Sequence, residues 1–469
     1  MKVCLLNDSF PPVIDGVVNA VLNYAEILNR DGIETIVGTP YYENAGYSDY
    51  PYKVIPYPSL DTSALTSGYR AGYPFPIKEI ASMAAFEPDV IHTHCPVSSA
   101  FVARSLRDVT DAPVVLTWHT KYDMDIHNVI GDNILADESI KALITNVSAC
   151  DEVWTVSDGA GKNLQSLGYQ GDYRVVLNGV DFPKGKITGP QADAMLQKYD
   201  LPSSVPVFLY VGRIMNYKGL PLIIDALQML SAKGYDYRMI FTGSGGDRQS
   251  LIEKITASGI ACDCFEGEQL QTSIHSGSSL PGRIIMTGPV SDRMQLRMIN
   301  SRADLFVFPS VFDTNGLVVR EAAACGLASV LIRGSCAAEG ISDGINGFLC
   351  EENSASLSAV LEQACLHTDV FRAAGERAMD EIYISWQDAV RTAEGLYADL
   401  IRRKKSGALP RRESFDDPLF DMAADAVRRY MHTVNEELPV YEGMIENFID
   451  RRETMRNDLE ARIRSFLNL

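Results

Sequence analysis

Residues 305–326 read LFVFPSVFDTNGLVVREAAACG. Four apolar residues with two aromatics, Leu305–Phe308, have the length and composition of a buried strand. A polar, glycine-bearing turn follows, and from about Gly316 the alanine-rich stretch takes up a helical period. A strand running through a short turn into a helix is half of a β–α–β unit, the element from which parallel sheets with helix-covered faces are made. The same pattern recurs along most of the chain. Upstream in the same half, strands are expected at Val205–Val211, Arg238–Thr242 and Arg283–Thr287, and downstream at Ser329–Ile332. The first half carries its own series: Lys2–Leu6, Thr35–Gly38, Asp89–Thr93, Pro113–Trp118, Glu152–Val156 and Arg174–Leu177. The fold class is therefore α/β, with two doubly wound sheets in tandem.

A chain of 469 residues exceeds what one core usually serves, since domains split beyond about 250–300 residues. Between the two series lies 184–206, rich in Gly, Pro, Asp and Lys and without a strand pattern, which places the boundary near residue 195. The expected organisation is a first domain over 1–195, a second over 196–375 and a helical segment over 376–405 that crosses back toward the first. A helical hairpin over 406–469 completes it. Its two stripes are Phe420, Val427, Met431 and Val434, then Phe448, Met455, Leu459, Ile463 and Phe466. They suit packing on the chain's own domains or a homodimer through these helices, and leave peripheral membrane contact open.

Forty-two Lys and Arg against 61 Asp and Glu give a formal charge of -19. That is the wrong sign for holding a polyanion, so no nucleic acid partner is expected. A few cations and backbone N–H groups in a cleft can still bind a small phosphate-bearing ligand. The nine cysteines mostly sit in apolar runs, as reduced core thiols do. Cys262 and Cys264 lack the second pair or nearby His that a zinc site needs, and no metal is expected. The start MKVCLLND turns polar too soon for a secretory signal, and no run of about 18 apolar residues could span a bilayer, so the expected location is cytoplasmic.

Open α/β sheets bind ligands beyond the carboxyl ends of their strands, so the candidate residues are sought there. Asp313 lies in the turn of the opening segment and Glu321 more than a turn into its helix, so both carboxylates can face one cleft. The start of that helix offers unpaired N–H groups and a positive dipole end, which suit a diphosphate. The segment VGRIMNYKG (211–219) delivers Arg213 and Lys218 just past another strand. Two cations on a glycine-flanked loop suit a pair of phosphates. In SFPPVIDGVV (9–18), Gly16 is read as lying in a loop before a helix from about Val17, where the absent side chain allows close approach to phosphate or sugar. His119 ends the strand of LTWHTKY (116–122), with Asp123, Asp125 and His127 following.

These four segments, together with NGVD (178–181), FTGSG (241–245) and TGPVSD (287–292), resemble the retaining GT-B glycosyltransferases of family four over residues 1–400. The resemblance implies two Rossmann-like domains facing a central cleft. It also implies transfer of a hexose from a nucleotide diphosphate sugar, usually uridine-linked, with the anomeric configuration kept. Donor contacts then fall to Arg213 and Lys218 for the diphosphate, Glu321 for the ribose, and Gly16, Gly243, Asn315, Gly316, Leu317 and Val318 around them. Catalysis falls to His119, Asp313, Arg213 and Lys218, with Tyr122 and His127 on the acceptor side. Two departures stand out: Asp313 occupies a position where the family usually has glutamate, and Asp15-Gly16 stands where many members have Gly-Gly.

With two cations and a helix terminus stabilising the departing diphosphate, neither a metal nor another cofactor is required; the nucleotide sugar is a co-substrate. The resemblance favours same-face attack, in which a donor phosphate oxygen takes the acceptor's proton, over a double displacement through Asp313. The acceptor is a lipid or a saccharide, and a lipid would bring the enzyme to the inner membrane face. A nicotinamide dehydrogenase fails because Gly243-Ser-Gly245-Gly-Asp-Arg248 breaks the G-x-G-x-x-G pattern at its last position. A GT-B nucleotide-sugar epimerase or hydrolase and a non-catalytic sugar-nucleotide-binding protein are the alternative readings.

Overall fold

The computed structural model describes residues 1–13, 15–63, 68–267, 269–274, 280–409 and 418–437. The chain forms two compact units: 1–155 with 161–174 and the described residues from 392 onward, and 156–160 with 175–391.

The first unit carries β1 (Lys2–Leu6), β2 (Glu34–Pro40), β3 (Lys53–Tyr57), a small antiparallel pair β4 (Ser59–Asp61) and β5 (Arg70–Gly72), then β6 (Val90–Thr93), β7 (Val114–Trp118), β8 (Glu152–Thr155) and β9 (Arg174–Val175). Its main sheet has the order β3-β2-β1-β6-β7-β8-β9, and the pairs from β3 to β8 are parallel. The second unit carries β10 (Val207–Val211), β11 (Arg238–Thr242), β12 (Ala261–Glu266), β13 (Gln269–Ile274), β14 (Arg283–Gly288), β15 (Leu305–Phe308), β16 (Ser329–Ile332) and β17 (Phe348–Cys350), in the order β13-β12-β14-β11-β10-β15-β16-β17. Only β13 among the described strands of this sheet runs antiparallel to its neighbour. In both sheets the first strand sits centrally and the order reverses beside it, at β1/β6 and at β10/β15. Loops leaving two such strands diverge and open a crevice between them.

The interior strands are continuous apolar runs because helices cover both faces: β1, β7, β10 and β15 are almost wholly buried. The strands that the sequence pattern does not reveal are mostly edges. β3 contains Pro56, tolerated at an edge, and β13 is largely exposed. β12 is interior but carries Asp263 mid-strand, made tolerable by Arg283 of β14 at 2.8 Å.

The chain passes between the units at 155/156, 160/161, 174/175 and 391/392, and 175–195, assigned by composition to the first domain, groups with the second unit. Residues 175–195 look like a linker by composition but lie fastened on the second unit. Val180 N–H donates to the Ile384 carbonyl (3.0 Å), Gly185 N–H to Ala324 (2.8 Å) and Ile187 N–H to Ser301 Oγ (2.9 Å). The helix Trp386–Lys405 begins in the second unit and ends in the first, where Tyr397 is fully buried. The helix Pro418–Glu437 is the first arm of the expected hairpin. Its Phe420 stacks on Phe101 with centroids 5.7 Å apart, under the Arg104 guanidinium at 3.7 Å, so this stripe packs on the chain's own first unit. The second arm, with Phe448 through Phe466, lies outside the described residues. No described helix is long and apolar enough to cross a membrane.

Glycine at 179 is a packing requirement: a Cβ there would lie 2.3 Å from the Trp386 nitrogen. Gly395, within the helix Trp386–Lys405, has open space in the same direction. Urea unfolding should therefore show Gly179→Ala less stable by about 2–3 kcal/mol, and Gly395→Ala more stable by about 0.5–1 kcal/mol through the better helix former.

Candidate functional site

In the second unit the site begins with three strand ends locked backbone to backbone. Gly212 N–H donates to Thr242 (3.0 Å), Ile214 N–H to Ser244 (2.9 Å) and Gly243 N–H to Gly288 (2.9 Å). A Cβ on Gly243 would fall 1.9 Å from the Gly212 carbonyl oxygen, and its φ is 140°. Glycine is thus demanded there by the closeness of the loops, and its N–H is already committed to Gly288.

This packing fixes the loop that leaves β10. Lys218 is buried, its Nζ 2.5 Å from Asp313 Oδ1 at the end of β15, flanked by the rings of Tyr217 and Phe312 at 5.6 and 5.4 Å. Burial pulls the ammonium pKa down; the adjoining Asp313 carboxylate opposes this, and Arg213 adds to it. Arg213 is exposed, 5.9 Å from the Tyr217 ring. The two cations therefore differ: one is sequestered and paired, the other faces solvent.

Asp313 Oδ2 and both polar atoms of the Asn315 side chain are buried without a hydrogen-bond partner among the described residues. Leaving such atoms unsatisfied is costly, on the order of 1–3 kcal/mol each. Beside them Gly316, in the left-handed region at φ 59°, precedes the helix Leu317–Ala324, which has no side-chain N-cap. Val319 N–H is taken by the Gly316 carbonyl (2.8 Å), so Leu317 and Val318 present the forward N–H groups. Partnerless acceptors and donors around an uncapped helix start describe a polar seat for an anionic, hydroxyl-bearing ligand.

Glu321 lies a turn further on, bonded through Oε1 to Arg293 Nη2 at 2.6 Å. Burial raises its pKa, and the Arg293 charge counters this. Arg293 escapes the sequence reading because it starts another helix, Arg293–Arg302, 28 residues from its partner.

The first unit holds the other candidates. Gly16 is not in a loop: the helix Gly16–Arg30 starts at it, and Asp15 caps that helix, its Oδ1 accepting from Val17 N–H (2.8 Å) and Val18 N–H (2.7 Å). Oδ2 accepts from Tyr69 OH (2.8 Å) and Ser9 Oγ (3.2 Å). The helix end beside the expected phosphate- or sugar-approaching glycine is thus occupied by the chain's own carboxylate, a consequence of aspartate preceding Gly16. Asp8 acts similarly on the helix Ser98–Thr110, accepting from Ser99 N–H at 2.6 Å and Val97 N–H at 3.2 Å. Its pKa is pushed up to about 6 by burial, against those hydrogen bonds.

His119 is buried at the end of β7, its Nε2 3.0 Å from His94 Nδ1 at the end of β6. His92 lies behind, its centroid 4.0 Å from that of His94, between Tyr397 OH (2.5 Å) and Thr117 Oγ1 (2.7 Å). Burial lowers all three pKa values, that of His119 to about 3, so the rings are neutral. The pair His92 and His94 went unread in the sequence, although alternate positions at a strand's carboxyl end are the available signal. Tyr122 opens the helix Tyr122–Ile130 and packs edge-on against Trp118, centroids 4.8 Å apart. His127 is turned to its own helix, with Nδ1 2.6 Å from the Asp123 carbonyl and Nε2 3.7 Å from Asp132.

Lys218 and Asp313 are thus in contact, Asn315 to Val318 line one turn, and Glu321 is tied to Arg293. Two family models match the chain in tandem: Glycosyltransferase Family 4 over residues 14–183 and Glycosyl transferases group 1 over residues 191–378. The chain belongs to the GT-B glycosyltransferases of family four. Its relatives include a GDP-mannose-dependent alpha-mannosyltransferase from Corynebacterium glutamicum, 24% identical over 86% of this chain and 89% of that one. An alpha-monoglucosyldiacylglycerol synthase from Acholeplasma laidlawii is 22% identical over 75% of this chain and 85% of its own length. Among solved structures, the Anabaena protein HepE in complex with UDP has a TM-score of 0.65 at 17% identity, covering 85% of this chain and all of that chain. That likeness shows the GT-B fold of the transferase.

The neutral histidines make the transferase acid-sensitive. An unfolded histidine, with pKa 6.5, takes up a proton that the folded ring refuses, so the stabilisation is complete above about pH 6.5 and shrinks as pH falls below it. Urea unfolding should show stability falling by up to about 1.4 kcal/mol per histidine per pH unit. Asp8, whose raised pKa works in the opposite sense, offsets part of it. A stability unchanged between pH 6.5 and 5 would contradict neutral burial.

Proposed function

We propose that the transferase moves a hexose from a nucleotide diphosphate sugar, uridine-linked, to a lipid or saccharide acceptor with retention of anomeric configuration. In this reading it needs neither a metal nor another cofactor. The observation that carries it is the buried Lys218–Asp313 pair beside the partnerless Asn315 side chain and the uncapped helix start. A diphosphate offers two charges to Lys218 where Asp313 offers one, and the helix N–H groups add to its hold. Arg213, exposed nearby, contributes a second cation. Asp313, one methylene shorter than the family's usual glutamate, then turns its carboxylate to donor-sugar hydroxyls together with Asn315.

In the transfer step the bond from the anomeric carbon to the phosphate oxygen breaks, and the bond to the acceptor oxygen forms on the same face. The acceptor's proton goes to an oxygen of the departing diphosphate, so atoms and charge balance without a protein nucleophile. A neutral His119 is consistent with this, because a ring with pKa about 3 holds and orients by hydrogen bonding and does not supply a proton near pH 7. The helix end sealed by Asp15 leaves the diphosphate to the second unit, with acceptor recognition assigned to the first through Tyr122 and its surroundings. The name of one relative, an alpha-monoglucosyldiacylglycerol synthase, supports the lipid class. A lipid acceptor would place the enzyme, otherwise cytoplasmic, at the inner membrane face.

Lys218→Ala and Arg213→Ala should each lower kcat about 100-fold, the scale of losing one donor to a developing anion. The measurement is initial rate with UDP-glucose, UDP-galactose and GDP-mannose over lipid and saccharide acceptors. Lys218→Met/Asp313→Asn, which leaves no buried charge unpaired, controls for folding; wild-type rates in the Lys218 or Arg213 variants would sink the proposal. Asp313→Glu is expected to change the ratio of kcat/KM among those donors with little change in Tm.

A further inference from the structure

The segment Asn178-Gly-Val-Asp-Phe182 is left without a role by the site described above. Gly179 and Val180 fasten it against Trp386 and Ser385. That fastening sets Phe182, 1% exposed, among Leu296, Ala324 and Cys325, at the junction of the helices Arg293–Arg302 and Leu317–Ala324. The guanidinium of Arg293 lies 4.4 Å from the centre of the Phe182 ring, 3.7 Å from Asp181 Oδ2 and 2.6 Å from Glu321 Oε1. A half-exposed arginine ordinarily samples many rotamers. Here an aromatic face and two carboxylates hold it in one place, and three separate stretches of chain contribute to that hold.

We propose that Arg293, clamped by Phe182 and Asp181, is the positioning residue for Glu321, fixing its Oε1 so that Oε2 is presented to the ribose hydroxyls of the nucleotide. This rests on the reading that Glu321 receives the ribose. A carboxylate free to rotate would bind the two hydroxyls less well than one pinned through its other oxygen, since the pinned group has less freedom to lose. Arg293 also sets the charge on Glu321. Burial raises the Glu321 pKa, Asp181 pushes the same way, and Arg293 is the cation that opposes them. The Cys325 thiol also packs here, pushed up to about 11 by burial and therefore neutral, with Arg297 beside it, and Tyr383, its pKa raised by burial, borders the same cluster. Arg293 thus orients the acceptor for the ribose and favours its charged form against burial.

The test is calorimetric binding of UDP and GDP, each against its 2′,3′-dideoxy counterpart, at pH 6.0 and 8.0 on the full chain. Wild type should favour the better-bound ribonucleotide by about tenfold over its dideoxy form at both pH values, the worth of one good charge-assisted hydrogen bond. Arg293→Ala should cut that preference to within about twofold at pH 6.0 and regain part of it at pH 8.0, further above the raised Glu321 pKa; Arg293→Lys should keep about fivefold at pH 6.0. Glu321→Gln, losing the preference at both pH values, verifies the reading beneath. A general structural defect would weaken both nucleotide forms alike and leave their ratio unmoved, and that outcome for Arg293→Ala overturns the inference. If Glu321→Gln keeps the ribose preference, or the wild type shows none, the ribose reading falls and the inference with it.

Discussion

A buried ammonium must find a counter-charge, and in this protein Lys218 finds it in Asp313 across the point where the strand order reverses. That pairing is possible because the loops leaving β10 and β15 start from adjacent strands, in register at Phe208 with Leu305 and Leu209 with Phe306. It is held because β10 and β11 bring their following loops so close that only glycine fits at 243. The polar seat at Asn315 and the uncapped helix start follow from the same geometry. The chain has brought a cation, an anion and free N–H groups to one strand end, and among the described residues there is no partner for Asp313 Oδ2 or the Asn315 amide.

The first unit resolves its strand ends in the opposite way. Its two nearest helix starts are closed by Asp8 and Asp15, and its histidines are kept neutral by burial. A sheet of the same winding therefore presents a surface with little appetite for a second diphosphate. The asymmetry is chemical and not topological, since the two sheets reverse their order at corresponding places. It fits a division in which charge stabilisation belongs to one unit and recognition of an uncharged reacting hydroxyl to the other.

Much of the architecture was legible in the sequence because its signals are local. Buried parallel strands are continuous apolar runs, so the interior strands other than β12 were read nearly to the residue, whereas edge strands such as β3 and β13 lack that signature. Linker-like composition misled at 175–195, because glycine and proline report a chain that is not helix or strand and say nothing of whether it is fastened down. Gly16 was placed one residue outside the helix that it starts, since a cap is defined by which N–H groups a side chain reaches. The choice of Arg213, Lys218, Asp313 and Glu321 came from strand-end position and resemblance, and the structure adds their partners.

The sequence by itself determined the alternation of strand and helix, the doubling of that pattern and the residue types carried to the strand ends, because propensity, periodicity and turn chemistry act over a few residues. Only the tertiary structure decided that Lys218 meets Asp313, that Glu321 is held by Arg293 over Phe182, and that Asp15 fills its own helix end. Those are close contacts between segments up to 111 residues apart or between side chains and backbone N–H groups, and their energies depend on burial and orientation that no local pattern encodes.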